Sequence, residues 1–115
     1  MPNTYKILGQ GVPTTTTSTT LYTVPNTSTQ TVVSTVVISN TTGTAASAYL
    51  YAVKGGSTAG TSNAIMYNVA VAAQDSTAVT IGATLSNTAG VVDFIVCGSG
   101  TSGSLTFTAF GSEIS

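Results

Sequence analysis

The side chains that could take part in acid–base or nucleophilic chemistry are few: the carboxyl groups of Asp75, Asp93 and Glu113, and the thiol of Cys97. Two carboxyl groups held about 5–10 Å apart could act as the acid and base of a glycosidase. Three widely spaced acids offer few chances of forming such a pair. The sequence contains no His, so it lacks the usual general base near neutral pH and the commonest metal ligand. We expect no enzymatic activity, no cofactor and no metal.

Local sequence around these groups favours structural roles. Asp75 lies between two predicted strands, where an Asp side chain typically binds nearby backbone N–H groups in a turn. Asp93 falls within a predicted strand on the face opposite Phe94, so we expect it on the solvent side or in an interface. Cys97 has no His or basic neighbour in sequence to lower its pKa, and is expected to be a small packing residue.

Charge is scarce along the whole chain. The five charged residues are Lys6, Lys54, Asp75, Asp93 and Glu113, or 4% of the sequence, against about 25% in an ordinary soluble domain. Two Lys and no Arg argue against nucleic-acid binding and against a polybasic membrane site. No apolar run approaches the roughly 20 residues that span a bilayer. We therefore predict neither a nucleic acid nor a membrane as partner.

Hydroxyl groups take the place of charges. The chain has 24 Thr and 14 Ser, and Thr suits the pleated, half-buried surface of a β-sheet. A surface with so little charge has little electrostatic repulsion between copies. We infer that much of it faces other protein copies; the alternative is a monomer with a neutral surface. With 42% hydrophobic residues, the chain does not have the composition of a disordered protein.

The pattern of short segments rich in β-branched and aromatic residues, separated by turn-forming clusters, predicts an all-β protein. At 115 residues it should form one domain. We predict an antiparallel, jelly-roll-like β-sandwich of about eight strands. The predicted strands are Thr4–Gln10, Thr19–Val24, Thr31–Asn40, Ser47–Lys54, Ala64–Ala72, Ala78–Leu85, Val91–Gly98 and Leu105–Gly111. The third is apolar on both faces, which is typical of a central strand.

A Thr-rich stretch at 14–20 separates the first strand from the rest of the chain. We divide the domain into an N-terminal strand or arm with this joint, residues 1–18, and a sandwich body, residues 19–115. Two interpretations of the joint stay open. It is either a surface loop or edge strand, or a joint that lets the N-terminal segment reach a neighbouring copy.

The sequence has more large apolar side chains than one small core can bury. Tyr is enriched where proteins meet, and the candidates on the less obviously buried faces are Tyr5, Leu8, Tyr22, Phe110 and Ile114. The alternative for each is a place in the core or at a sheet edge. The single cysteine excludes an intrachain disulfide, and residues 1–6 lack the apolar core of a secretory signal peptide. We expect synthesis in a reducing cytoplasm.

Four stretches of this sequence resemble short virion structural proteins of tailed phages, especially phages of cyanobacteria. They are residues 4–10, 20–25, 31–40 and 107–114. The resemblance implies a component of the phage particle, made in the host cytoplasm, and a β-sandwich of the capsid decoration, or cement, type on the capsid surface. No catalytic residue carries over.

The resulting hypothesis is a cement protein that self-associates, with a trimer as the first guess, and that contacts the major capsid protein. One alternative is a tail, neck or fibre component. Another is a carbohydrate-binding sandwich on the virion surface, with Tyr49 and Tyr51 as its aromatic residues.

Overall fold

A computed structural model describes residues 3–15, 19–25, 29–88 and 91–114, and within them it contains nine strands and one short 3-10 helix. The strands are β1 (Asn3–Gly11), β2 (Thr19–Thr23), β3 (Gln30–Asn40), β4 (Ala46–Val53), β5 (Ala64–Val71), β6 (Ser76–Thr88), β7 (Val91–Val92), β8 (Phe94–Ser99) and β9 (Leu105–Ile114), with the 3-10 helix at Thr61–Asn63 before β5. Across these described ranges there is no helix long and apolar enough to cross a membrane.

The strands form two antiparallel sheets. The five-stranded sheet has the order β1-β9-β3-β6-β7, and the four-stranded sheet has the order β2-β8-β4-β5. Without the two-residue β7, each sheet has four strands, and the chain passes repeatedly from one sheet to the other. This connectivity is that of a jelly roll. The predicted all-β, antiparallel, jelly-roll-like sandwich is confirmed, and β3 is an interior strand between β9 and β6.

The predicted seventh strand is divided in the structure. β7 ends at Val92 and β8 begins at Phe94, because Asp93 between them binds backbone groups of other segments instead of continuing the strand. The Asp93 carboxylate accepts hydrogen bonds from the backbone N–H groups of Gly55, at 2.9 Å, and Ser86, at 3.1 Å. Asp93 is half-buried, and its carboxylate has a structural role that its sequence neighbours do not indicate. It ties the β4–β5 loop to β6.

The main core fills the space between the sheets. Phe107, Ile38, Leu50 and Ile95 are fully buried within it, and each such side chain contributes about 1.5–3 kcal/mol. A second, smaller cluster consists of Tyr51, Val53 and Val96. Because Tyr51 pairs with Val96 while the adjacent Leu50 points into the main core, this cluster lies on the outer face of the four-stranded sheet.

Strand β1 pairs with β9 along its whole length, with an irregularity at Leu8 between Ile7 and Gly9. The N-terminal segment therefore forms the edge strand of the five-stranded sheet. Residues 16–18 of the predicted joint lie outside the described residues. The division of the chain at residue 18 stays a prediction.

Candidate functional site

The candidate catalytic groups are dispersed into separate structural roles. Asp93 binds the backbone, as described above, and Asp75 accepts the N–H of Ser76 at 2.8 Å in the turn before β6, as predicted. Glu113 forms an ion pair with Lys6, with 2.7 Å between Nζ and Oε1. In the described part of the chain, no group of three or more His, Cys, Asp or Glu is placed to hold a metal ion.

Cys97 is fully buried in the main core, where burial raises the pKa of its thiol to about 12. The thiol is therefore protonated at neutral pH and has little nucleophilic character. Its place agrees with the predicted role as a small packing residue.

The remaining candidate site is a surface, and the pairing register of the strands shows which residues form it. Residues paired across neighbouring antiparallel strands point to the same side of the sheet. Phe110 of β9 faces Ile7 of β1 and Thr35 of β3, while Thr108 faces Gln10 and Val37. We call this side of the five-stranded sheet the outer face.

The outer face is rich in hydroxyl groups and carries no charge at the paired positions that the structure describes. Its central residues, in the order β1, β9, β3 and β6, are Tyr5, Ile7, Gln10, Thr106, Thr108, Phe110, Ser112, Val32, Thr35, Val37, Ala78, Thr80 and Thr84. A surface of this composition is desolvated at lower cost than a charged one.

Three large apolar side chains stand out from this face at its β1 edge. Tyr5 is 78% exposed, Ile7 is 53% exposed and Phe110 is 37% exposed. Ile7 is paired with Phe110, and Tyr5 follows two residues away on the same side of β1. We call these three residues the β1–β9 patch. Exposed apolar side chains that lie together on one face make the β1–β9 patch a candidate interaction surface.

The structure separates the five predicted contact residues. Tyr5 and Phe110 lie in the β1–β9 patch, whereas Leu8 and Ile114 are half-buried. Leu8 packs against the main core because the irregularity in β1 changes the alternation there. Ile7 was not among the predicted contacts, although its spacing of two from Tyr5 was a signal that both share a face.

Tyr22 requires a correction, because it is a core residue and offers no surface to a partner. Its hydroxyl lies 2.5 Å from Oε2 of Glu113 and 2.7 Å from Oγ1 of Thr31. Tyr22 belongs to the four-stranded sheet and Glu113 to the five-stranded sheet, so the contact joins the two layers. Burial, followed by the bond to Glu113, raises the pKa of Tyr22. The bonds from Lys6 and Tyr22 lower the pKa of Glu113.

A second group of exposed apolar side chains lies along β5, the edge of the four-stranded sheet. Tyr67 is 55% exposed, and its ring packs edge-to-face on Tyr49 with the centroids 5.1 Å apart. The Tyr49 hydroxyl lies 3.3 Å from Oδ1 of Asn68. Of the two tyrosines predicted to contact sugar, Tyr51 is only 1% exposed, so that part of the hypothesis is wrong.

The strand order of the two sheets defines a double-sheet jelly roll, an architecture found in viral capsid and lectin domains. No protein-family model matches the chain, and no curated protein matches it. Among solved structures it is similar to a chain in the structure of infectious bursal disease virus, Gx strain. That match has 11% sequence identity and a TM-score of 0.50 over 97% of this chain and 32% of the viral chain.

A chain in the structure of the Gt strain of the same virus also matches. Its identity is 14% and its TM-score is 0.46, over 97% of this chain and 30% of the viral chain. The protein thus spans about a third of the viral chains that it resembles. The likeness is one of fold, to chains from a virus structure. Neither of these chains comes from a phage, and the phage resemblance stays a prediction.

Proposed function

We propose that the protein is a structural component of a virus particle, and specifically a decoration (cement) protein that covers joints between major capsid proteins of a tailed-phage head. The observation that carries the proposal is the uncharged, hydroxyl-rich outer face with the exposed β1–β9 patch. The jelly-roll topology and its likeness to a chain from a virus structure support it at the level of the fold.

The mechanism follows from the composition of the outer face. Burying apolar area releases about 25 cal/mol per Å², and Tyr5, Ile7 and Phe110 supply such area without charges that would resist desolvation. A single contact of this size is weak, but a shell repeats it at every equivalent joint. Self-association of the copies, with a trimer as the working model, would add to this stabilisation.

Copy number in purified virions tests the proposal, measured by quantitative mass spectrometry against the major capsid protein. We expect about one copy for every one to three copies of the major capsid protein, because a component of the shell lattice occupies many equivalent positions. A ratio far below this would place the protein in a tail, neck or fibre and overturn the cement role. Absence from the particle would overturn the virion role as well.

A carbohydrate-binding role is the second candidate, favoured by the exposed ring of Tyr67 and the adjacent Asn68. Aromatic rings stack on the apolar faces of sugars, and amides bind their hydroxyl groups. A glycan array separates the two roles, with Tyr67→Ala as the variant and Tyr5→Ala as the matched exposed control. Glycan binding that Tyr67→Ala alone abolishes would support this second role, whereas an array without signal would exclude it.

A further inference from the structure

Strand β1 is attached to the molecule mainly along one edge, where it pairs with β9. None of its side chains from Thr4 to Gly11 is buried, and Leu8 alone among them packs half-buried against the main core. β1 is the edge strand of the five-stranded sheet, and its hydrogen-bonded neighbour there is β9. Backbone pairing with β9 and side-chain contacts such as the Lys6–Glu113 ion pair, rather than full burial of side chains, therefore hold β1 in place.

The chain becomes firmly anchored directly after β1. The side chain of Pro13 is fully buried, and its carbonyl accepts the N–H of Gly103 at 3.2 Å. The carbonyl of Thr15 accepts the N–H of Ser99 at 2.9 Å. Between β1 and this anchor lies Val12, which is 48% exposed. A strand that separates from the body would therefore hinge at Gly11–Val12.

From this arrangement we infer that β1 is an exchangeable strand, which leaves its own β9 and pairs with β9 of a second copy of this chain. Every contact that β1 makes with β9 can form identically in the exchanged state, so exchange costs little. This deepens the proposed function, since copies crowded on a particle would favour exchange by mass action. It also gives self-association a defined structural element.

The position beside β9 that β1 occupies, here called the slot, is specific for the sequence of β1. At one end, Glu113 lies opposite Thr4 and takes the cation of Lys6. At the other, Gly9 passes the backbone of β2 so closely that an added Cβ would lie 1.9 Å from the carbonyl oxygen of Leu21. The slot therefore requires a glycine at one position and a cation three residues before it. Residues 3–11 of another copy meet both requirements.

Disulfide trapping between two differently labelled chains tests the exchange. Gln10 and Thr108 are partners across β1 and β9, and their side chains lie 3.3 Å apart. Partners in an antiparallel pair lie within the Cα separation that a disulfide spans. Isotopically labelled Gln10→Cys protein is mixed with unlabelled Thr108→Cys protein at high concentration and oxidised, and the mass of each covalent dimer is measured. Cys97 is buried and stays in all variants.

A matched control comes from two strands inside the same sheet. Thr35 of β3 and Thr80 of β6 are also partners on the outer face, but both strands belong to the body and should not exchange. We expect the mixed heterodimer from Gln10→Cys with Thr108→Cys and none from Thr35→Cys with Thr80→Cys. Heterodimer in neither mixture, or equally in both, overturns the inference.

A second pair protects the test against a variant that folds poorly. Tyr5 and Ser112 are likewise partners across β1 and β9, and Tyr5→Cys with Ser112→Cys should give the same heterodimer. The experiment uses purified protein alone, whereas the virion role is tested by copy number on particles. Failure of one therefore does not imply failure of the other.

Discussion

The hydroxyl of Tyr22 lies 2.5 Å from the carboxylate of Glu113, joining residues that are 91 positions apart in the sequence and belong to different sheets. The other carboxylate oxygen of Glu113 binds Lys6 on β1. One carboxyl group thus connects the edge strand, the strand β9 and the opposing layer. Because the Glu113 carboxylate accepts from both Lys6 and Tyr22, its charge is compensated within the sandwich.

Replacing Tyr22 by Phe should destabilise the protein. The variant keeps the buried ring and removes the hydrogen bond to a charged acceptor, a bond worth about 1.5–3 kcal/mol. We expect a loss of this order in the free energy of unfolding, measured by urea denaturation. Tyr67→Phe is the matched control, because the Tyr67 ring is 55% exposed and should show little change. Equal effects at the two positions would contradict the role given to Tyr22.

Stability should depend on the ionisation of Glu113. Its pKa in the folded protein is lowered, first by the hydrogen bond from Lys6 and then by that from Tyr22. The unfolded chain, with a Glu pKa of about 4.3, therefore binds the proton more readily than the folded one. The stabilisation is fully present above that pH and is lost as pH falls through the lower folded pKa.

The variant Glu113→Gln isolates this contribution. Among the charged residues, Lys6 is the one that the structure places against Glu113, and Tyr22 is its titratable partner from the opposing sheet. We expect the difference in unfolding free energy between wild type and Glu113→Gln to be largest near neutral pH and to shrink on acidification. A difference that stays constant from neutral pH to about pH 2 would rule out the linkage.

The β1–β9 patch should control self-association. Ile7→Thr keeps a β-branched side chain on the strand while removing exposed apolar area from the patch. We expect the dissociation constant measured by sedimentation equilibrium to rise about tenfold, which corresponds to roughly 1.4 kcal/mol. Ile65→Thr on β5, also exposed, is the matched control. If Ile65→Thr weakens association more than Ile7→Thr does, the interface lies on the β5 edge instead.

The close approach of β1 to β2 should make Gly9 intolerant of substitution. In Gly9→Ala the new Cβ would meet the carbonyl oxygen of Leu21 at 1.9 Å, so β1 must shift. Overpacking of this kind typically costs about 1–3 kcal/mol. We expect lower stability and faster hydrogen exchange of the β1 amides, measured by mass spectrometry. Gly43→Ala, whose Cβ would meet nothing within 4 Å, is the control and should leave both unchanged.

The positions of the strands were largely predictable from the sequence. Period-two alternation and turn-forming residues act within a few positions, so Thr31–Asn40 and Ala64–Ala72 were placed within one residue of β3 and β5. The break at Asp93 was not predictable, because its carboxylate binds the backbone N–H groups of Ser86, seven residues away, and of Gly55, 38 residues away, and only the folded chain brings Gly55 beside it.

The candidate site was predictable only in part. The sequence predicts Tyr5 and Phe110 as contact residues because it has more large apolar side chains than a small core can bury. Both are exposed in the structure. Leu8 is predicted as a contact residue, but the irregularity in β1 turns its side chain toward the main core. Such a register shift changes which face a side chain occupies and leaves no signal in the sequence. Tyr22 looks equally eligible in sequence, yet its hydroxyl finds Glu113 across the sandwich.

The sequence by itself determined the class of this protein: a single all-β sandwich with almost no charge, a hydroxyl-rich surface and few groups for acid–base chemistry. These properties depend on composition and on local alternation, which operate without knowledge of neighbours. The tertiary structure alone decided which face of each strand is covered, that Glu113 joins three strands, and that β1 lies on the outside with an unburied row of side chains. Those outcomes depend on strand pairing and register between residues far apart in the chain.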